Sequence, residues 1–354
     1  MEITRRQVLA STALGAAAAP LVLAASAGTA RAATPAASLQ LQDELLLGVV
    51  FEDPTLAAAR LKFTDSAGSV SWRIIERSAH GKDGELATAS DPVAISAEMG
   101  AVELDPAHVG RARLGAVDGK TSLFAPQRRS TGSGTVDFLG IPVVSRSMWG
   151  ADESLMQWSP EFSPTQILTV HHSVIAPQAD DVASTVRAIY QLHAVTNDWG
   201  DIGYHLLIGP DGTVFAGRST GNDRQPVFQS AVRHGQVPSG VTAAHSGGFN
   251  TGNIGICVLG DFTTKQPTAA AYDSLLNVLA RLCHAVQLNP LRGVWPIPPV
   301  AYQNPVSGEK KPNPAISRHR DWNTTECPGN AFATRFDLLR PETKLRMAML
   351  GLLV

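Results

Sequence analysis

The chain has 354 residues, enough for two folded units, and 44% hydrophobic with 17% charged residues leaves ample apolar material for their cores. A formal net charge of −2, with no run of Lys or Arg, argues against a nucleic-acid surface.

Residues 1–32 read as a targeting segment rather than as fold. Thr4-Arg5-Arg6-Gln7-Val8-Leu9 is a twin-arginine start, an alanine-rich apolar stretch runs to Ala27, and Ala30-Arg31-Ala32 offers small residues to a signal peptidase. The expectation is export by the twin-arginine route to the extracellular space, cell wall or periplasm, with no stable membrane insertion after cleavage. That route carries folded proteins, so a metal site can be assembled before its thiol meets an oxidising compartment.

Residues 41–124 are expected to form a small, mostly β domain of unassigned role. Runs at 45–51, 59–63 and 70–75 have strand character, and the last two alternate apolar with polar residues. Asp65-Ser66-Ala67-Gly68 and His80-Gly81-Lys82-Asp83-Gly84 are turn chemistry, and nothing in this region reads as catalytic. Residues 125–141, rich in Ser, Gly and Thr, are expected to be a flexible linker.

The second unit, 142–354, alternates strand and helix signals, which predicts an α/β fold with a mixed sheet and helices packed around it. Strands are expected at 166–171, 204–208, 213–216 and 253–259, with Gly209-Pro210-Asp211-Gly212 as a hairpin turn. Helical periodicity covers 179–195 and 268–287. Residues 289–315 hold seven prolines and read as a long loop, and the helical run 331–350 is expected to break or kink at Pro341. Its apolar tail is too short to span a bilayer.

Two segments carry the chemistry. In His319-Arg-Asp-Trp-Asn-Thr-Thr-Glu-Cys327-Pro-Gly an imidazole and a thiol lie eight residues apart beside a Pro-Gly turn. In Leu168-Thr-Val-His171-His172-Ser173 an apolar run delivers two histidines at its carboxyl end. Two His and one Cys leave a tetrahedral zinc one ligand short, and an open position marks a catalytic rather than a structural ion. The remaining cysteines, Cys257 and Cys283, are either a disulfide or two buried thiols, and the frequent burial of free cysteine favours the second.

The order of motifs resembles the zinc-dependent N-acetylmuramoyl-L-alanine amidases of type 2, the family that includes the peptidoglycan recognition proteins. The matching residues are Ser145-Arg-Ser-Met-Trp-Gly-Ala-Asp-Glu153, Val170-His-His-Ser173, Trp199-Gly-Asp-Ile-Gly-Tyr-His205, Asp211-Gly-Thr-Val-Phe-Ala-Gly-Arg218, Ala244-His245, Gly248-Phe-Asn-Thr-Gly-Asn-Ile-Gly255, Gly260-Asp-Phe262, His319 and Thr325-Glu-Cys-Pro-Gly329. They span residues ~143–345, with boundaries good to a few residues. The resemblance implies one Zn2+ held by His171, His319 and Cys327. It also implies Tyr204 as a donor to the developing oxyanion and Thr325 as a group orienting water or substrate. A strand's alternation keeps His171 and His172 from facing one ion together, which makes His172 either a support to the metal ligands or a groove residue. Trp199, Arg218, His245 and Asn250 fall at groove positions, Arg218 as receptor for a stem-peptide carboxylate or as one half of a salt bridge, and His245 as contact to the muramyl group or as a loop cap. Glu326 and His172 are candidates for the acid that protonates the leaving amine, as is the proton of the zinc-bound water itself. The implied reaction is hydrolysis of the bond between N-acetylmuramic acid and L-alanine, with peptidoglycan or muropeptides as partner. Two alternatives are a non-catalytic muropeptide-binding module and a zinc amidase acting on another amide. The sequence departs from the minimal pattern by longer segments at 219–243 and 289–315 and by Asp198 before Trp199, where diaminopimelate-preferring relatives carry glycine.

Overall fold

The computed structural model describes residues 38–40, 45–91, 93–95, 99–118, 135–177 and 181–352. The expected targeting segment and most of the expected linker lie outside these residues.

The first unit is built from two antiparallel sheets sharing one core. One sheet runs in the order Ser38–Gln40, Ala101–Leu104, Ala58–Thr64, Val70–Glu76, and the other in the order Val93–Ile95, Leu45–Phe51, Ala112–Asp118. Leu47, Val49, Phe51, Leu61, Phe63, Val102, Leu104 and Leu114 point into the shared interior. The turn at Asp65 forms as expected: its carboxylate accepts from the backbone N–H of Ala67 and Ser69, at 2.9 and 2.8 Å. Between Glu76 and Val93 the chain leaves the sheet as a loop. Its neck is tied by Ser78 N–H donating to the Ala89 carbonyl at 2.8 Å and Ser90 N–H donating to the Val49 carbonyl at 2.8 Å.

The second unit carries a seven-stranded mixed sheet. Its strands in chain order are β1 (Val136–Phe138), β2 (Ile141–Val144), β3 (Ile167–His172), β4 (Leu206–Ile208), β5 (Val214–Ala216), β6 (Asn253–Val258) and β7 (Ile316–Arg318). The spatial order is β7-β3-β6-β4-β5-β2-β1, with β7, β3, β6 and β4 mutually parallel. Strand alternation splits the sheet into two faces. Leu168, Val170, Leu206, Ile208, Ile254, Ile256 and Val258 share one core with the helices α2 (Ala269–Ala285) and α3 (Phe336–Met349). Leu207 and Cys257 pack on the opposite side with Val186, Ile189 and Tyr190 of α1 (Val182–Gln191). The mixed sheet with flanking helices, preceded by a small β unit, is therefore the fold expected from the sequence.

Four details differ from that expectation. Strand β1 begins at Val136, inside the expected linker, because Asp137 and its neighbours pair with β2 at the sheet edge. Helix α1 continues into a wider π-helical turn at Leu192–Thr196. The proline-rich loop contains a hairpin, Val300–Gln303 against Lys310–Asn313, in which Val300 and Tyr302 turn inward and Ala301 and Gln303 outward. At the carboxyl end the helical run is interrupted at Thr334 and Arg335, whereas Pro341 is carried inside α3. Leu339, Arg340, Thr343 and Met347 are buried on either side of that proline, and Arg340 Nε donates to the Ile316 carbonyl at 2.9 Å, so packing holds the helix through it. Among the described residues no helix is long and apolar enough to cross a membrane.

Candidate metal centre

The parallel strands β3 and β7 end side by side, with Val170 opposite Arg318, which brings His171 and the following His319 together. Their ring centroids are 4.7 Å apart. Alternation along β3 sends His171 to the α1 side of the sheet and His172 to the other, where its Nδ1 accepts from Phe262 N–H at 3.3 Å. Burial pushes the His172 imidazole down to about 4, an effect the Asp261 carboxylate only partly offsets. The His172 backbone N–H donates to Cys327 Sγ at 3.4 Å, and that sulfur lies 3.7 Å from His171 Nδ1. Thr325 Oγ1 accepts from Cys327 N–H at 3.2 Å and so braces the turn that carries the thiol.

A chain of hydrogen bonds fixes which nitrogen His171 presents. His245 Nε2 lies 3.0 Å from the Asn253 carbonyl, which only a protonated nitrogen can satisfy, so the neutral ring has a bare Nδ1. That Nδ1 lies 3.0 Å from His171 Nε2, which must then donate, leaving the His171 Nδ1 lone pair aimed toward Cys327. The relay needs Gly255: a Cβ there would fall 2.5 Å from His245 Cγ. Expected as a groove residue, His245 is instead fully buried with both nitrogens engaged, and it acts by orienting His171.

A third imidazole joins this centre from the first unit. His80, on the loop beyond the 70–76 strand, has its ring centroid 4.3 Å from that of His319 and 5.5 Å from that of His171. One ligand atom each from His80, His171 and His319 lies within 4.8 Å of the others. His80 Nδ1 is 2.6 Å from Asp91 Oδ1, and its Nε2 is 3.4 Å from the Tyr204 hydroxyl. Burial by itself would raise the Asp91 carboxyl, but the His80 imidazole and the Ser78 hydroxyl reverse this and hold it well below the usual range. Sequence reading placed His80 in a turn of a non-catalytic domain; the only signal available was a histidine beside Gly81, with nothing to show where the turn would dock.

The donor set suits a divalent cation. Among the described residues, both His319 ring nitrogens are buried without a hydrogen-bond partner. Burial, then the neighbouring imidazoles, push His171 and His245 well below the usual histidine range, and burial does the same to His319. They are therefore held in the neutral form that ligates. Burial pushes the Cys327 thiol up, and a bound cation would remove that proton outright.

Tyr204 precedes β4 and turns its ring toward the centre, 5.2 Å between centroids from His171, with burial pushing its phenol well above the usual range. Trp199 stacks on His193 at 4.6 Å and lies 5.9 Å from His80. Asn250 Oδ1 accepts from the N–H of His245 and Ser246, and its Nδ2 donates to the Gly81 carbonyl and Asp83 Oδ1 of the first unit, so it braces the His245 turn and joins the two units. Arg218 is buried against the Trp158 ring at 4.0 Å, with Asp201 3.9 Å away. Cys257 and Cys283 are both free and buried.

Residues 161–330 match the family described as N-acetylmuramoyl-L-alanine amidase. Human N-acetylmuramoyl-L-alanine amidase is 30% identical over 211 residues, 58% of this chain and 29% of its own length. Peptidoglycan-recognition protein LB of Drosophila melanogaster is 26% identical over 191 residues, 53% of this chain and 64% of its own. The chain thus spans about a third of the length of the mammalian amidases it matches. The solved structure of wild-type Drosophila PGRP-LB superposes with a TM-score of 0.38 at 26% identity, over 55% of this chain and 91% of that one. Residues 161–330 are thus a domain of the N-acetylmuramoyl-L-alanine amidase family, similar in sequence to the peptidoglycan recognition proteins.

Proposed function

We propose that this is an exported zinc amidase that hydrolyses the bond between N-acetylmuramic acid and L-alanine in peptidoglycan. The observation that carries the reading is the meeting at His171, whose ring lies 4.7 Å from that of His319 and whose Nδ1 lone pair the His245 relay aims at Cys327 Sγ, 3.7 Å away. Zinc held there would supply Lewis acidity and a nucleophilic water near neutral pH. Tyr204, beside His171, donates its O–H to the carbonyl oxygen as negative charge develops on it. Thr325 keeps Cys327 in place, Asn250 braces the His245 turn, and Trp199 packs between His193 and His80. Arg218 contributes its buried positive charge to the wall formed with Trp158. His172, on the far face of β3, is not at the centre, which leaves the exposed Glu326 as the remaining side chain named from the sequence as a proton donor.

The test is prolonged incubation of the protein with peptidoglycan sacculi, with and without a chelator, and mass spectrometry for stem peptides bearing a new L-alanine amine. Chelator-sensitive release is expected. Cys327→Ser should lose zinc, measured by elemental analysis after dialysis, together with activity, while still binding sacculi. Sacculi that retain the protein without any release would favour a recognition module instead, and zinc retention by Cys327→Ser equal to the wild type would overturn the ligand assignment.

A further inference from the structure

We propose that His80 is a fourth metal donor supplied by the first unit, and that the segment carrying it, residues 79–83, occupies the substrate groove of the second unit and closes the centre until it is withdrawn. The inference rests on the amidase reading for what is being closed.

Three observations converge. First, His80 has the arrangement of a metal ligand: Nδ1–H donates to the Asp91 carboxylate at 2.6 Å, which turns the Nε2 lone pair toward Tyr204 and the two other imidazoles. A ring whose far N–H is held by a carboxylate is the usual setting of a ligating histidine. Ser78, donating to the same carboxylate, fixes that partner in turn. His80, His171 and His319 form the group within 4.8 Å, and Cys327 Sγ, outside that group but 3.7 Å from His171 Nδ1, would complete four nitrogen and sulfur donors, the set of a closed zinc site rather than the three of an open one.

Second, the segment is anchored as a bound ligand would be. The Asp83 carboxylate accepts from Asn250 N and Nδ2, Thr251 N and Oγ1 and Asn304 Nδ2, at 2.8 to 2.9 Å for the shortest contact of each donor. The Gly81 carbonyl accepts from Asn250 Nδ2 at 2.6 Å, and the Ala79 carbonyl from Gly247 N–H at 2.8 Å. Lys82 Nζ lies over the Trp158 ring at 5.3 Å. These groups belong to the second unit, and among them Asn250 also holds the turn that carries His245, so the segment is fixed beside the centre itself.

Third, the centre has no access. His171 and His319 are 0% exposed, Tyr204 4%, Cys327 5% and His80 6%. No amide of a polymer as bulky as peptidoglycan reaches the donors with His80 in place. Activity then scales with the fraction of molecules in which the segment is withdrawn.

The experiment uses the full chain with Co2+ in place of zinc, its visible absorption reporting the donor set, and azide as probe of an open position. Azide should leave the wild-type spectrum unchanged and shift that of His80→Ala. Asp83→Ala keeps His80 but removes the anchor; it should respond partly to azide and release stem peptide from muropeptides about ten-fold faster than the wild type. An azide response in the wild type equal to that of His80→Ala would overturn the fourth donor. Slower hydrolysis in both variants would make His80 a proton donor to the leaving amine and overturn closure. The expected azide pattern with no hydrolysis by any form would leave the donor assignment standing and reject the amidase reading instead.

Discussion

Asp201 is the buried anion on which two buried arginines depend, and its neutralisation is the sharpest stability test the fold offers. It is 0% exposed; Oδ1 accepts from Arg146 Nη1 at 2.9 Å and Ile202 N–H at 2.7 Å, and Oδ2 accepts from Ser219 N–H at 2.8 Å and faces Arg218 Nη1 at 3.9 Å. In Asp201→Asn, Arg146 keeps Glu153, but Arg218 is left 2% exposed with no anion among the described residues within 4.0 Å. Burial already pushes the Arg218 guanidinium down to about 10 despite Asp201, so its charge is poorly solvated even in the native protein. Breaking a buried pair from one side costs about 3–5 kcal/mol, a large part of the ~5–15 kcal/mol that holds a domain together. With a urea slope of ~3 kcal/mol/M, the midpoint of the transition followed by tryptophan fluorescence should fall by more than ~1 M. Adding Arg218→Leu should recover much of the loss, because removing both charges relieves the stranded cation. A fall below ~0.3 M in the single variant, or no recovery in the double, would refute this account of the pair.

Tyr204→Phe should retain metal and KM while kcat falls about 100-fold, measured on a soluble muropeptide; an unchanged kcat would remove the phenol from the reaction. Gly255→Ala should drive the His245 ring away from β6 and weaken zinc binding about ten-fold or more, read by competition with a chromogenic chelator, and an unchanged affinity would deny the relay its positioning role. His205 is buried neutral, with Nε2 2.6 Å from the Val241 carbonyl and Nδ1 accepting from Gly255 N–H, and burial pushes it down to about 4. The unfolded chain therefore takes up this proton first, so its contribution is fully present above pH ~6.5 and is lost as pH falls toward ~4, about 2 kcal/mol of it between pH 7 and 5. Urea midpoints at those two pH values should show a shallower dependence for His205→Asn than for the wild type, and equal slopes would exclude His205 as a source.

What the sequence determined lies in local pattern. The apolar run at 167–172 specifies a buried strand, and its period of two means that His171 and His172 leave on opposite faces wherever the strand is placed. The spacing at 269–285 specifies a helix with one buried face, and the Asp65 turn follows from side-chain capping of its own backbone. Proline was the weaker guide: Pro341 reads as a helix breaker, yet burial on both sides of it outweighs the lost hydrogen bond, and the proline-rich loop hides a hairpin whose alternation is only two inward residues long. The relay from Asn253 through His245 to His171, and above all the arrival of His80, were decided by tertiary structure alone. A turn signal at His80-Gly81 says that the chain reverses there, but not what the reversal touches. That contact spans 91 residues to His171 and 239 to His319, and it is set by the docking of one unit on another, which leaves no period in the sequence to be read.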